Sequence, residues 1–342
     1  MKAITSLFIP GNLIPIVAIL LIVVGIKRAG QQPLWAEAYR RLGRNRAAIA
    51  SLVVIAAYCL IAVLDSITWK SNVLAEPQSV ITHIFHAMHV RSERTYSAPF
   101  AKITTGEPHP HPLKGWHILG TDGSGKDVLL ETLRGCRTAL IIGGFTSLLI
   151  TPVAILLGML AGYFGHRVDD VIQYIYTTLG SVPGILLNIA FLLVLGPGLI
   201  NLCFALGITS WVDLCRLVRG ETLKHRDREY VRAAKALGVR DLRILINHIL
   251  PNILPVVIIT VTLNFSSLVL SETILSYLGI GVPAGTGSWG NMIDAARLEL
   301  ARDPVIWWNL TAASTALFIL VLALNVFSDA LRDAVDPRLR SS

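Results

Sequence analysis

The sequence predicts an all-α fold, a polytopic bundle of about seven transmembrane helices. Three observations lead there. Of 342 residues, 53% are hydrophobic and only 15% charged, against roughly 25% charged in a soluble domain. Several apolar runs reach the length of about 20 residues that a bilayer-spanning helix needs. The basic residues gather in particular segments between those runs, as they do on the cytoplasmic side of membrane proteins. A formal charge of +8 therefore reads as a mark of sidedness, and no nucleic-acid partner is expected.

In chain order the predicted spans are Phe8–Ile26, Ala47–Leu64, Thr138–Gly162, Val171–Leu195, Gly198–Val218, Pro251–Ile280 and Val305–Phe327. The first is read as a retained anchor; a cleaved signal peptide is the alternative, but a basic cluster follows this run and only Lys2 precedes it. Between the fourth and fifth spans, "LGPGL" is short enough to make a hairpin. Cys59, Cys136, Cys203 and Cys215 lie in or beside apolar runs without metal-ligand spacing, and are expected to act as small apolar residues.

Lys27–Arg46 carries Lys27, Arg28, Arg40, Arg41, Arg44 and Arg46 against Glu37 alone, and Asp213–Leu250 carries nine Lys and Arg. Both are expected in the cytoplasm. Alternation of spans then places the N-terminus, Asp65–Arg137 and the loop around Pro283–Asp303 outside, and the C-terminus inside. The chain divides into an anchor with a basic linker (1–46), a first core span with its external segment (47–137), and a core domain (138–342) that holds the loop 213–250.

The outer stretch "LGTDGSGKD" spells most of a phosphate-binding P-loop, G-x-x-x-x-G-K, from Gly120 to Lys126. The next position should be a Ser or Thr that holds magnesium, and it is Asp127. A P-loop also needs a strand before it, whereas "EPHPHPLKGWH" precedes this one. The apolar residues Val128, Leu129, Leu130 and Leu133 suggest an amphipathic turn lying on the membrane ahead of the third span.

The loop "REYVRAAKALGVRDLRILINHILPNILP", Arg228 to Pro255, reads as two helices. The first has Tyr230, Val231, Ala234 and Leu237 at helical spacing and Gly238 as its C-cap. The second starts at Asp241, with Leu242, Leu245, Ile246 and Ile249 on one face, and Pro251 and Pro255 open the next span. Ala233 and Ala234 would let another surface approach closely.

This loop resembles the coupling loop of ABC importer permeases, which runs E-A-A, three residues, Gly, nine residues, Ile-x-Leu-Pro. Ala233, Ala234, Gly238, Leu250 and Pro251 match; Arg232 replaces the Glu and His248 the Ile. "YVRAAKALG…HILPN" is similar to the dipeptide, oligopeptide and nickel branch of that family. Its external motif G-T-D-x-x-G-R-D resembles Gly120, Thr121, Asp122, Gly125, Lys126 and Asp127, with Lys126 in the Arg place, so the P-loop likeness is accidental. "SETILSYLGIGVP…SWGNMI" and "NVFSDALRDAVDPRLR" resemble two further motifs, Ser328 standing for a Gly. The match runs from about Gly115 to Arg340.

The resemblance implies the type I ABC importer permease fold and a subunit that hydrolyses nothing itself. Its expected partners are a second homologous permease, two cytoplasmic ATPase subunits that hold ATP and magnesium, an external solute-binding protein and the lipid bilayer. Residues 228–251 would couple to the ATPase through Tyr230, Ala233, Ala234, Leu237, Gly238, Leu250 and Pro251. Peptides are the expected cargo; a nickel or other metal-complex permease is the alternative, and a proton-coupled transporter a more distant one.

Glu272 lies inside a span, where carboxylates are costly. It either lines the substrate path with Asn264, Ser267 and Ser271 or pairs locally. His83, His86 and His89 recur at three-residue spacing in the outer segment, which also holds His109, His111 and His117. That spacing suits a borderline metal or merely a polar loop, and the latter is favoured, with no metal bound by the chain. The span Phe8–Ile26 and the segment Ser66–Pro112 exceed the six-span pattern of the resembled family.

Overall fold

Twelve helices and one small sheet follow each other in the computed structural model, which describes residues 33–69, 78–88, 90, 92–106 and 109–335. The predicted span Phe8–Ile26, His89 and the end of the C-terminal motif lie outside these residues. Helix α1 (Pro33–Leu42) leads to α2 (Arg46–Ser66). Asn45 caps α2 by accepting from the amides of Ala47 and Ala48 at 2.9 and 3.3 Å, which satisfies donors that a helix start leaves free. Strands β1 (Thr68–Trp69) and β2 (Gln78–Ser79) pair antiparallel, and α3 (Val80–Ala87) follows. The all-α expectation thus holds except for this two-stranded ribbon and isolated bridges in the segment before Val128.

Helix α4 (Val128–Phe164) is continuous over 37 residues. The separate amphipathic turn expected at Val128–Leu133 is therefore corrected: no Gly or Pro interrupts that stretch, and Val128 is buried at 1% exposure instead of lying on a membrane surface. The predicted span Val171–Leu195 is not one straight helix. It is two helices, α5 (His166–Gly180) and α6 (Gly184–Leu195), bent by 84° at the break. Pro183 has no amide proton to continue the ladder, and it disfavours helical backbone at the residue before it.

Gly196 (φ 80°) ends α6, and α7 (Leu199–Arg226) turns back against it as the expected hairpin. Helix α8 (Glu229–Ala236) is followed by α9 (Asp241–Ile244), a π-helical turn (Leu245–Ile249) and α10 (Leu250–Tyr277). Pro251 does not open a span as expected: the helical path runs from Asp241 to Tyr277. The π turn explains the tolerance. The Leu250 amide bonds back five residues to Leu245, and this widened turn just before the proline eases the clash its ring would cause in a regular helix. Helices α11 (Trp289–Arg297) and α12 (Trp308–Val335) complete the chain.

Among the described residues, five helices are long and apolar enough to cross a membrane, or six if the bent α5–α6 pair counts as one span. Two compact units divide the chain, one formed by residues up to Leu140 with Glu272–Ala330, the other by Ile141–Ser271 with the segment from Leu331. In the second unit, Gly158 and Gly162 of α4 let α7 approach. A Cβ would fall 2.8 Å from the Cys215 carbonyl oxygen at the first and 2.7 Å from that of Arg219 at the second. Small residues at four-residue spacing are what close helix packing in membranes uses.

Candidate functional site

The loop between α7 and α10 has a defined geometry. Glu229 in the first turn of α8 and Lys235 in its last turn complement the helix dipole. The helix ends in a paired cap. The Gly238 amide bonds to the Lys235 carbonyl at 2.9 Å and the Val239 amide to the Ala234 carbonyl at 3.1 Å, with Gly238 at φ 78°. This is the Schellman arrangement, which needs a left-handed residue where Gly238 stands, as its spacing led us to expect.

The faces of α8 separate. Val231 (0% exposed) and Ala234 (6%) point into the chain's own core. Tyr230, Ala233 and Leu237, at positions i, i+3 and i+7, point out, Leu237 at 83% exposure. The expectation that Ala233 and Ala234 serve one approaching surface is corrected for Ala234, whose small side chain is used in internal packing. The predicted apolar face of the second helix is corrected as well. Ile244, Leu245 and Ile249 are buried, while Leu242 and Ile246 are exposed, because the π turn changes the angular spacing on which the sequence argument relied. Leu250 is half-buried and Pro251 exposed.

Two clamps hold the loop. His225 Nδ1 lies 2.7 Å from the Tyr230 hydroxyl, joining the end of α7 to α8. The Tyr163 hydroxyl, at the end of α4, donates to Asp241 Oδ1 at 2.5 Å, and the Lys235 ammonium sits 4.6 Å from the Tyr163 ring centroid. Farther along, Asp169 of α5 takes both a 2.5 Å and a 2.7 Å bond from the Arg219 guanidinium of α7. Sequence reasoning missed the pairing of Tyr163 with Asp241. They are 78 positions apart, and no local pattern marks a tyrosine at a helix end for such a pairing.

The stretch Gly120–Asp127 belongs to the first unit and is a self-satisfied turn. The Asp122 carboxylate accepts from the Ser124 and Lys126 amides at 2.8 and 2.9 Å, and the amides of Thr121, Asp122, Gly125 and Val128 bond to carbonyls. A P-loop would aim such amides at phosphate; here they are already used. Burial raises the Asp122 carboxyl above the usual range against the pull of those amide bonds. Asp127 caps α4 through the Leu130 amide (2.8 Å), and its other oxygen meets His117 Nδ1 at 2.8 Å. His117 is fully buried, with Glu93 on its far side at 3.5 Å. Burial alone would lower its pKa, but the bonds and charges of Asp127 and Glu93 outweigh this and raise it.

Glu272 is 1% exposed and accepts from the hydroxyls of Ser276 (2.9 Å) and Ser288 (2.7 Å). These local partners match the second of its two readings. Asn264 and Ser271 are half-buried and Ser267 exposed. Among the described residues no cluster of three or more His, Cys, Asp or Glu could hold a metal ion.

A family described as "Binding-protein-dependent transport system inner membrane component" matches residues 154–341. The chain belongs to this family. A second match, "N-terminal TM domain of oligopeptide transport permease C", covers residues 33–78. The permease is 32% identical over 307 residues to the oligopeptide transport system permease protein OppC of Bacillus subtilis, covering 90% of each chain. It is 37% identical to the di/tripeptide permease DppC of Pseudomonas aeruginosa, over 66% of this chain and 73% of that one. To the glutathione transport system permease GsiD of Pectobacterium atrosepticum it is 36% identical, over 66% of this chain and 74% of that one. A structure of the MetNI methionine ABC transporter shares the fold, with TM-score 0.51 and 18% identity, covering 61% of this permease and 97% of that chain. The permease accordingly has the type I importer fold.

Proposed function

We propose that this permease forms part of the translocation path of an ATP-driven importer of peptides and is moved by ATPase subunits docking on α8. The observation that carries this reading is the exposed stripe of Tyr230 and Ala233 on a helix of eight residues, continued by its C-cap Leu237 and held by a paired cap and two clamps. A rigid helix of this kind passes a displacement into α4 and α7 as a rigid-body movement. The chain itself catalyses nothing. ATP and magnesium belong to two ATPase partners, and a second homologous permease and an external solute-binding protein complete the complex. Peptide cargo is supported by relatives named for oligopeptides, di- and tripeptides and glutathione. The excess of Lys and Arg in Asp213–Leu250 supports a cytoplasmic loop, with residues 92–127 on the outer side.

The test is reconstitution. The permease is co-expressed with candidate ATPase, second-permease and solute-binding subunits, purified in lipid vesicles and supplied with ATP on the α8 side. Accumulation of labelled tri-alanine that requires ATP is expected. Uptake driven by a proton gradient without ATPase subunits would refute the reading, and uptake of nickel without any peptide would refute its cargo. A cysteine at Lys102 should react with an impermeant thiol reagent in intact cells, and one at Arg232 should not; the opposite pattern would refute the orientation.

A further inference from the structure

Helix α1 (Pro33–Leu42) ends three residues before α2 begins. The turn between them is closed by its own backbone. The amides of Gly43, Arg44 and Asn45 bond to the carbonyls of Tyr39, Arg41 and Leu42 at 3.0, 3.1 and 3.1 Å. Three residues reach at most about 10 Å, and α2 is one of the helices long and apolar enough to cross a membrane. The end of α1 therefore stands at the membrane boundary. At 100° per residue the sequence of α1 splits into two arcs. With Leu34 at the origin, Ala38, Leu42, Trp35 and Tyr39 fall at about 40°, 80°, 100° and 140°, an apolar arc. Ala36, Arg40, Glu37 and Arg41 occupy the rest, from about 200° to 340°.

An apolar arc this wide marks a helix face that is buried against something. Tyr39, within the arc, is 39% exposed, so the chain leaves the arc open there. A helix lying in the interface plane, with its apolar arc toward the acyl chains, buries such a face. Charge narrows the occupant. Between residues 36 and 46, Arg40, Arg41, Arg44 and Arg46 stand against Glu37 alone, and Glu37 is already paired with Arg41 at 2.7 Å. Arg44 in the turn and Arg46 at the start of α2 are exposed, at the level where α2 enters the membrane. They do nothing for α2 itself. A helix start favours negative charge, and α2 has no acidic residue in its first turn. Orienting the chain calls for basic residues in this segment, but not for an amphipathic helix beside them. A basic cluster on an amphipathic helix next to a span is the pattern that attracts anionic lipid.

We propose that α1 lies flat on the leaflet from which α2 enters, and that Arg44 and Arg46 bind the headgroups of anionic phospholipid there. Arg40 and Arg41 add to the field that gathers those lipids, within the reach of about 10 Å that screening allows. Bound in this way, α1 fixes the depth at which α2 starts. Neither the cargo nor the docking of ATPase subunits is required for this, and the sidedness of the segment 27–46 only decides which leaflet is meant.

Fluorescence quenching in the whole complex in lipid nanodiscs tests it. Cys59, Cys136, Cys203 and Cys215 are first replaced. A bimane is then attached to a single cysteine, from Ala38→Cys in the apolar arc or from Ala36→Cys in the polar one. Phospholipid carrying a nitroxide should quench the label at 38 at least about threefold more than the label at 36, and aqueous acrylamide should do the reverse. In nanodiscs of about one-third phosphatidylglycerol in phosphatidylcholine, a nitroxide on phosphatidylglycerol should quench the label at 38 at least about twofold better than one on phosphatidylcholine. Arg44→Gln combined with Arg46→Gln should abolish that preference, while the contrast between 38 and 36 shows that α1 still forms. Equal quenching at both positions would overturn the surface helix. So would a label at 38 shielded from both acrylamide and lipid, which would put another subunit over the arc. Equal quenching by the two lipids, or a preference that survives the double variant, would overturn the binding of anionic headgroups.

Discussion

Ala233 and Ala234 are neighbours with opposite surroundings, and tryptophan at each should fail in a different way. Ala234 is 6% exposed beside the fully buried Val231. An indole there has to displace packed atoms, which costs about 1–3 kcal/mol and sometimes more. Helix α8 has only eight residues, so it cannot absorb the displacement along its length, and the upper end of that range applies. About 3 kcal/mol lowers the population of seated α8 by roughly 100-fold. Ala233 is exposed, and the change in helix propensity there is within about 0.7 kcal/mol. Its tryptophan would instead stand out between Tyr230 and Leu237 and hold a partner away. The assay pairs limited proteolysis of the 227–240 loop in the purified permease with capture of the ATPase subunits. Ala234→Trp should open the loop to cleavage and lose ATPase capture. Ala233→Trp should leave the loop as protected as in the parent and still lose capture by at least about tenfold. Normal capture by Ala233→Trp would refute the docking face. A protected loop in Ala234→Trp would refute the packing argument.

The Tyr163–Asp241 clamp should behave as one unit. Tyr163→Phe and Asp241→Ala should each cut transport per ATP, and the double variant should be no worse than either, because a bond to a charged acceptor worth about 1.5–3 kcal/mol can be lost only once; additive losses would count against the clamp. Gly120→Ala and Gly125→Ala should each destabilise the 92–127 segment by at least about 1–2 kcal/mol from the positive φ alone, and the added Cβ would also meet the Ser97 and Glu93 carbonyl oxygens, respectively; thermal unfolding checks this. His117 has a raised folded pKa between Asp127 and Glu93. Its stabilisation is complete below the unfolded value of about 6.5 and lost as pH rises through the folded value. Amide protection in 92–127, corrected for base-catalysed intrinsic exchange, should therefore fall as pH rises above about 6.5, and His117→Gln should flatten that fall.

Sequence patterns reached some features of the loop between α7 and α10 and not others. Helix α8 and its glycine cap were legible, because caps and helical spacing are local properties of consecutive residues. The inward turn of Ala234 was not, since two adjacent alanines carry no mark of which one faces the core. The π turn was hidden too. Leu242 and Ile246 fit an apolar stripe at 3.6-residue spacing, and one widened turn moved them to the surface. At Gly120–Asp127, the mismatch at Asp127 was enough to question a P-loop. The positive account, with amides consumed by Asp122 and Asp127 held by His117, needed the folded turn. Glu272 stood out by its place in an apolar run, but its serine partners lie 4 and 16 residues away.

The sequence by itself determined that this is a multi-span membrane protein of the importer-permease family. Hydropathy is summed over some 20 residues and survives any detail of packing, and motifs such as the alanine pair, Gly238 and the Leu250–Pro251 step are read along the chain. Only the tertiary structure decided which side chains meet. It bent the fourth predicted span at Pro183, joined Tyr163 to Asp241, and enclosed Glu272 and His117. Each of these depends on contacts between distant segments or on the angle at which one turn follows another, and neither is written in the order of neighbouring residues.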